Sequence, residues 1–427
     1  MTRFVLGSLF LNCQDQIYSE EYSDFIGNRS LIESKYALDC KQPLGAMFAS
    51  LYLKLSDGYE DGTVYGYYNI PKLFGLQDTG SMESSGILQV RENPDLKLDG
   101  SGVLIGFVDT GIDYAGSIFL KQDGTTRVIA IWDQTIPAES PIRLPELPTT
   151  LENITRTPEG FLYGSEFTHE QLNAAVKMED AYEGISSRDE NGHGTFLASI
   201  AAGNELPDGS FTGAAPKADI AMVKLKPAKN RLRAYYQIKE DAVAYQENDI
   251  MAGVLYLVSL AKKRQQPLVI CLGLGTNAGS HRGGLPLARM LEELGSSVGI
   301  TIVAGTGNET SRGHHFEGQI SSESGYEDVE IRVAEGENGF FLELWANAPE
   351  TYSVAIRSPN GEVIPRIYVR PGRIEILNFA LAQTRVELSY RLSVTGTGEF
   401  LALLRFINIT PGVWTVRVYN DLFITGH

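Results

Sequence analysis

The sequence predicts an α/β protein built on a doubly wound parallel sheet, with an N-terminal region before it and an antiparallel β domain after it. Two patterns carry this prediction. Short apolar runs typical of buried strands alternate with segments of helical spacing, as successive βαβ units require. After about residue 320 the apolar residues recur at every second position, which indicates half-buried antiparallel strands. We therefore expect three parts: residues 1–85, residues 86–320 and residues 321–427.

Length and composition limit the classes of protein to consider. A chain of 427 residues with 43% apolar residues has enough material for two or three domains around a large core. Lys and Arg number 36 against 53 Asp and Glu, and this net charge of −17 argues against nucleic acid or an anionic membrane as partner. No stretch is long and apolar enough to cross a bilayer.

Three cysteines, Cys13, Cys40 and Cys271, are widely spaced in the chain. They are too few and too scattered for a disulfide framework or a zinc site, so we expect no metal centre.

Residues 1–85 combine several patterns and are interpreted as a small N-terminal unit followed by a linker. A short apolar run follows Arg3, but it ends at Asn12 and has no small-x-small cleavage site, so we expect no signal peptide. Residues 44–55 are strongly apolar. Pro71 lies within residues 67–76 and predicts an extended connector there.

The middle part begins with the clearest strand signal in the chain. Residues 103–109 form a continuous apolar run that ends in Asp109. Such a run predicts a buried parallel strand with its carboxylate at the sheet edge where active sites of open α/β sheets lie. Gly-Ser-Gly at 100–102 precedes this strand instead of following it, which argues against a dinucleotide-binding loop. Further strands are expected at 128–132, 218–225, 268–274 and 299–304, helices at 167–178, 249–264 and 285–295, and a surface excursion at 134–165.

A histidine between two glycines opens a run of small and apolar residues at 191–203. Gly192 and Gly194 permit a sharp turn, and Thr195 is expected to cap the helix that follows. His193 would then lie at a loop-to-helix junction, where a general base is both reachable and firmly held. Taken alone, the motif is most simply a loop histidine in a glycine turn.

Asn308 follows the predicted strand at 299–304, so Asp109, His193 and Asn308 are all expected at element ends of one sheet. A carboxylate behind an imidazole fixes its tautomer, and a side-chain amide donates to a developing oxyanion. Separately, Asp109 has a plain explanation as a turn cap and Asn308 as a left-handed turn residue. Together they favour hydrolysis by a serine nucleophile; Cys271 beside His193 is a weaker alternative.

These segments resemble the successive signature blocks of subtilisin-like serine proteases, which occur here in that family's order. The matching blocks are 108–113, 191–199, 213–216, 272–275 and 305–309. The resemblance implies that Asp109 is the triad acid, His193 the general base and Asn308 the oxyanion-hole donor. It also implies that a polypeptide substrate pairs in extended form with Gly273, Leu274 and Gly275, while the opposite wall of the first specificity pocket is formed by Gly305, Thr306 and Gly307. Structural calcium is an expectation from the family alone, since no EF-hand-like pattern occurs.

A narrower likeness is to the clostridial germination-specific subtilases of spores. It is carried by residues 131–135, by the excursion through 163–164 and by the alternating region beyond Asn308. It implies that residues 1–85 are a pro-region acting as folding aid and inhibitor, and that residues 321–427 are a jelly roll inserted before the nucleophile. A cytoplasmic or spore-associated bacterial protein would follow.

The sequence departs from the family pattern at the nucleophile, because Gly-Thr-Ser occurs nowhere in the 427 residues. A truncated chain, one fragment of a longer polypeptide and a natural non-catalytic relative all stay open. We favour truncation because the last alternating run, at 414–419, suggests an unfinished sheet.

The main hypothesis for the function is a serine endopeptidase made as a zymogen. The alternative is a pseudoprotease acting in binding or signalling. A flavodoxin-like nucleotide binder lacks a phosphate loop.

Overall fold

The computed structural model describes residues 13–35, 40–54, 66–76, 98–144, 154–309 and 312–422. The expected linker near residue 85 and the apolar run after Arg3 lie outside these residues.

The N-terminal unit, residues 13–76, contains a small antiparallel sheet of strand order β1-β3-β2. Its elements are α1 (Cys13–Tyr18), β1 (Tyr22–Asn28), α2 (Arg29–Lys35), β2 (Lys41–Leu44), β3 (Phe48–Lys54), α3 (Gly66–Asn69) and β4 (Leu73–Leu76). The connector expected at 67–76 is therefore wrong in part, because it contains a helix and a strand. Strand β4 forms because both of its edges find partners in the central part, which the sequence alone does not show.

The central part, residues 98–309, is organised by a six-stranded sheet of order β12-β10-β5-β8-β6-β7. Its strands are parallel except β7, which runs antiparallel to β6. The elements are β5 (Leu104–Asp109), a 3₁₀ turn (Ser117–Phe119), β6 (Val128–Asp133), β7 (Ser165–Thr168), α4 (His169–Val176), α5 (Ala181–Gly184), α6 (His193–Ala202), β8 (Asp219–Lys224), α7 (Asn230–Tyr235), β9 (Tyr245–Gln246), α8 (Glu247–Arg264), β10 (Leu268–Leu272), β11 (Leu274–Gly275), α9 (Pro286–Gly295) and β12 (Ile300–Ala304).

Helices cover both faces of this sheet, as a doubly wound fold requires. Alternate residues of β5 point to opposite faces. Val108 belongs to one buried cluster together with Leu257 of α8, whereas Phe107 belongs to another with Leu197 of α6. At Gly106 an added Cβ would lie 2.7 Å from Leu257 Cδ1, so glycine permits the close approach of α8 to the sheet.

Two predicted boundaries in the central part are wrong. The helix expected at 167–178 begins at His169, because Phe167 belongs to β7 and Thr168 caps the helix in a capping box with Gln171. The single strand expected at 268–274 is interrupted at Gly273, which separates β10 from β11.

The C-terminal part is a sandwich of two four-stranded antiparallel sheets, ordered β13-β20-β15-β16 and β14-β19-β18-β17. Its strands are β13 (Tyr326–Val333), β14 (Gly339–Ala346), β15 (Tyr352–Arg357), β16 (Val363–Ile367), β17 (Ile374–Phe379), β18 (Thr384–Arg391), β19 (Phe400–Ile407) and β20 (Gly412–Asn420). Trp414 of one sheet and Phe406 of the other meet in the shared core. Strand β20 pairs on both sides, so the argument for truncation from an unfinished sheet is not supported. A jelly-roll connectivity stays a prediction.

Candidate active site

The structure brings Asp109 and His193 together, although 84 residues separate them in the chain. Asp109 is the last residue of β5 and His193 the first residue of α6. His193 Nδ1 lies 2.7 Å from Asp109 Oδ1, which is hydrogen-bonding distance. The Thr110 N–H donates to the same oxygen at 2.7 Å. The carboxylate side chain is 1% exposed and the imidazole 14% exposed, so the acid is buried behind a ring that keeps one open side.

Glycines let the helix that carries His193 approach the strand that carries Asp109. Gly192 precedes α6 with φ of 89°, a left-handed conformation that favours glycine. At Gly194 an added Cβ would overlap the carbonyl oxygen of Gly111 and lie 3.2 Å from Asp109 Cβ. The Gly194 N–H instead donates to Thr110 Oγ1 at 2.9 Å. The helix and the strand tip are thus joined beside the Asp109–His193 pair.

The expectation that Thr195 caps this helix is wrong. Thr195 is the third residue of α6. The cap position is occupied by Gly192, which directly precedes the helix. The hydroxyl of Thr195 donates to Asp189 Oδ2 at 2.7 Å and accepts the N–H of Asp113 at 3.0 Å. Its function is to join the helix to two neighbouring loops.

Asp189 is a functional residue that sequence reasoning missed. Its carboxylate accepts hydrogen bonds from Thr110 Oγ1 (2.7 Å), the Gly192 N–H (2.8 Å) and the Thr195 N–H and Oγ1 (2.8 and 2.7 Å). Burial raises the pKa of this carboxyl, but the hydrogen bonds from Thr195, Thr110 and Gly192 lower it more, so its pKa lies below the usual value. The sequence did offer one signal for Asp189. It is an acidic residue four positions before His193, near the N-terminus of the predicted helix.

Gly273 borders the Asp109–His193 pair at the point where β10 ends. An added Cβ would lie 3.1 Å from His193 Cε1 and 3.4 Å from Asp109 Oδ2, and it would overlap Leu197 Cδ1. This residue was expected in the substrate-pairing strand. The structure gives it the further task of leaving room for the imidazole.

Strand β4 of the N-terminal unit occupies the space between β11, which follows Gly273, and β9, and we call this space the groove. Leu274 and Gly275 of β11 pair antiparallel with Leu76 and Gly75 of β4. On its other edge β4 pairs antiparallel with β9. Because β11 leads away from Gly273 and β4 is antiparallel to it, β4 runs towards Gly273 and the adjacent His193.

Residues 305–307 were expected to form the opposite wall of the first specificity pocket. They follow β12, at the same edge of the central sheet as Gly273. Strand β12 is parallel to β10, with Ala304 in register with Leu272. The Gly305 N–H then donates to the Leu272 carbonyl at 3.2 Å, next to Gly273. Thr306, Gly307 and Asn308 follow and are exposed. The wall formed by Gly305, Thr306 and Gly307 and the oxyanion role of Asn308 stay predictions.

The surroundings of Cys271 bear on the alternative of a cysteine nucleophile. Burial, together with the negative charge of Asp109, raises the pKa of the Cys271 thiol to about 11, which disfavours the thiolate that a nucleophile needs.

Within the described ranges, no group of three His, Cys, Asp or Glu side chains is arranged so that it could hold a metal ion. Structural calcium stays a prediction without an assigned ligand set. In the same residues, no helix combines the length and apolar character needed to cross a membrane.

Comparison with known proteins identifies the family of the chain. A family model described as the subtilase family matches residues 100–341. Subtilisin-like protease SBT3.8 of Arabidopsis thaliana is 31% identical over 133 residues, which cover 29% of this chain and 16% of that protein. The structure of the CspB protease of Clostridium perfringens matches with a TM-score of 0.63 and 26% identity, covering 79% of this chain and 64% of that chain. The chain thus spans less than two thirds of either relative. Because the family model covers more than half of the 427 residues, the chain belongs to the subtilase family.

Proposed function

We propose that this chain carries the acid–base machinery of a subtilisin-like serine endopeptidase that cleaves extended polypeptides. The observation that carries the proposal is the 2.7 Å hydrogen bond between Asp109 and His193. Membership of the subtilase family and the likeness to two proteases support the same chemistry.

The proposed mechanism assigns one task to each polar group. With the Nδ1 proton donated to Asp109 Oδ1, the imidazole of His193 keeps the Nε2 lone pair to take the proton of a serine hydroxyl. Asp109 then stabilises the imidazolium that forms. Asn308 donates its amide N–H to the oxyanion of the tetrahedral intermediate, an effect worth about 3–4 kcal/mol in related chemistry.

The nucleophilic serine is proposed to come from a segment outside residues 1–427, because no Gly-Thr-Ser block lies within them. The test is to express the protein with whatever the gene encodes beyond residue 427 and to treat it with a small fluorophosphonate, which needs no extended groove. We expect one labelled serine, and no labelling in the H193A variant. A folded protein in which no serine is labelled would contradict the proposal.

The N-terminal unit is proposed to be a pro-region that blocks the groove by imitating substrate. Strand β4 supports this, since it lies between β11 and β9 as a bound polypeptide would in strand addition. Phe74 of β4 is buried in one cluster with Tyr245, Ile250 and Leu274, so the groove accepts an aromatic side chain. A synthetic peptide of residues 70–76 is expected to inhibit the processed enzyme competitively. A non-competitive effect, or none, would count against this assignment.

A second candidate is a pseudoprotease that uses the groove for binding in spore germination. The observation that favours it is the same lack of a Gly-Thr-Ser block. The fluorophosphonate experiment separates the two functions, because a pseudoprotease folds but forms no covalent adduct.

A further inference from the structure

A cavity of about 740 Å³ lies between the sandwich and the loop that follows β11. Residues 276–282 of that loop and residues 314–318 line it on one side. On the other side it is lined by β13 and β14, the strands that stand at the end of each sandwich sheet. A volume of this size is typical of sites for small organic molecules, which measure about 300–1,000 Å³.

The cavity is apolar at its inner end and open to solvent at its mouth. The inner end is formed by the buried side chains of Ile320, Tyr352, Val416 and Val418. Residues 314–317 at the mouth are exposed. A molecule that enters the cavity therefore gains from an apolar body that it can withdraw from water.

A buried carboxylate in the wall of the cavity has one oxygen to spare. Glu399 is 7% exposed, and its Oε1 lies 3.3 Å from Arg282 Nε in an ion pair. Its Oε2 is buried, and none of the described residues donates a hydrogen bond to it. The hydroxyl of Ser280, also in the wall, is likewise buried and without a hydrogen-bond partner in the described part of the chain. Since a buried acceptor without a donor is costly, this part of the wall fits a ligand that donates hydrogen bonds.

A second carboxylate lies on the inward side of the sandwich. Glu327 of β13 precedes Val329 and Ile331 at alternate positions, and both of these pack against the sandwich core. Because alternate residues of a strand share one face, Glu327 lies on the inward face as well, where it lines the cavity. A charge on this face is unusual for a half-buried strand and again favours a polar ligand.

The balance of charge indicates that the ligand is a cation. Besides histidines, the described residues that line the cavity include four glutamates and one arginine, namely Glu317, Glu327, Glu343, Glu399 and Arg282. A metal ion is a poor fit, because no group of three potential metal ligands is gathered among the described residues. An organic ammonium group attached to an apolar body matches both the carboxylates and the apolar inner end.

We propose that this cavity binds a small organic ammonium ion with an apolar body, whose charged group is held by Glu399 and attracted by Glu327. An ammonium N–H donates to the spare Oε2 of Glu399, and the apolar body lies in the inner end of the cavity. The site is separate from the Asp109–His193 pair, so the proposal does not rest on the proposed function.

The test uses the protein expressed with whatever the gene encodes beyond residue 427. The probes are three dansyl amides that share one pentyl chain, which ends in an ammonium group, a methyl group or a carboxylate. Their dissociation constants are measured by titration, because dansyl fluorescence rises in an apolar site. The variants E399Q and E327Q keep the shape of each side chain and remove its charge. E330Q is the matched control, since Glu330 is exposed on the opposite face of β13.

We expect the ammonium probe to bind about 10-fold more tightly than the methyl probe, and the carboxylate probe to bind most weakly. E399Q should weaken binding of the ammonium probe about 10-fold and E327Q about threefold, while E330Q and the affinity for the methyl probe stay unchanged. R282Q should have the opposite effect and tighten binding of the ammonium probe about threefold, because it removes a like charge and frees Glu399 Oε1. Circular dichroism verifies that each variant folds.

Equal dissociation constants for the ammonium and methyl probes would overturn the proposal, as would a folded protein that binds none of the probes. So would an E399Q variant that binds the ammonium probe as tightly as E330Q does. The labelling of a serine by fluorophosphonate is measured separately, so neither experiment decides the other.

Discussion

The hydrogen bond between Asp109 and His193 depends on neighbouring residues that take no part in the proton transfer. Asp189 ties the loop after β5 to the first turn of α6 through four hydrogen bonds. Gly273 and Gly194 provide the space in which the two elements meet. At the scale of single residues, the distance between Asp109 and His193 is therefore set by the neighbouring residues that hold the strand and the helix together.

Replacing Asp189 by Asn is expected to lower the free energy of unfolding by about 1–3 kcal/mol at pH 7, since several hydrogen bonds to a charged acceptor are weakened. The pKa of Asp189 is lower in the folded protein than in the unfolded chain, so its stabilisation is present above the unfolded pKa and is lost as pH falls through the folded pKa. Urea unfolding between pH 7 and pH 3 should show a shallower acid decline in D189N than in the unchanged protein.

The matched control is D208N, because Asp208 accepts only local hydrogen bonds from Ser210 in an exposed turn. A change in D208N as large as in D189N would show that the effect does not come from the support of His193.

Replacing Gly273 by Ala is expected to displace the imidazole of His193, because the new methyl group would lie 3.1 Å from Cε1. A displacement of this kind costs about 10- to 100-fold in rate. The measurement is the rate of fluorophosphonate labelling in the protein that carries its serine. G75A is the control, since a Cβ there meets open space. An unchanged rate in G273A would refute this function of the glycine.

The sequence predicted the pair of Asp109 and His193 but not the residues that hold it in place. Asp109 and His193 lie in short motifs whose residue types suggest their chemistry. Asp189 is one of several acids in a loop, and its four hydrogen bonds depend on how that loop folds back on Thr110. The proximity of Gly273 to His193 likewise results from the packing of α6 against the sheet edge.

At the scale of elements, Arg127 connects the end of the His193 helix to the sheet. It is buried, and its guanidinium donates to the carbonyls of Ala202 and Ala218 and to Asn204 Oδ1. Ala202 is the last residue of α6, so Arg127 satisfies one of the carbonyls that a helix leaves without an internal partner. Burial lowers the pKa of this guanidinium to about 10.

Replacing Arg127 by Met is expected to cost about 2–4 kcal/mol of stability, because buried carbonyl groups would lose their donor. Hydrogen exchange should increase first at the C-terminal end of α6. The exposed Lys121, changed to Met, serves as control. Equal exchange rates in the two variants would contradict the capping role.

Strands that are continuous apolar runs were predictable, and those that depend on a partner were not. The runs that became β5, β6, β8 and β12 lie where the periodicity predicted them. Strand β4 has four residues close to Pro71, and it is a strand only because β9 and β11 supply hydrogen bonds on both edges. Strand β7 was mistaken for the start of a helix for the same reason, since its partner is β6.

At the scale of the whole molecule, the carboxylate of Glu343 joins all three parts. This residue of β14 accepts hydrogen bonds from Tyr67 OH of the N-terminal unit (2.7 Å) and from the Gly279 N–H of the central part (2.8 Å). It also accepts Trp345 Nε1 within the sandwich at 3.0 Å. The first two contacts join residues 276 and 64 positions apart, so the sequence predicted three parts without predicting how they bind one another.

Replacing Glu343 by Gln is expected to lower the stability of this junction by about 1–3 kcal/mol, because a charged acceptor of three hydrogen bonds becomes a neutral one. Scanning calorimetry should then separate the unfolding of the sandwich from that of the remaining parts. The exposed Glu335, changed to Gln, is the control. Identical calorimetric profiles for E343Q and E335Q would show that the carboxylate does not couple the parts.

The central claim is that Asp109 holds a proton on Nδ1 of His193 and leaves Nε2 to act as base. The most direct test is a proton–nitrogen NMR spectrum of the 427-residue chain with ¹⁵N-labelled histidine, in which H193A identifies the relevant ring among six histidines. We predict a strongly deshielded Nδ1 proton on His193, lost in D109N as the tautomer changes. A His193 ring that carries its proton on Nε2 in the unchanged protein, or a spectrum that D109N leaves unaltered, would contradict the account.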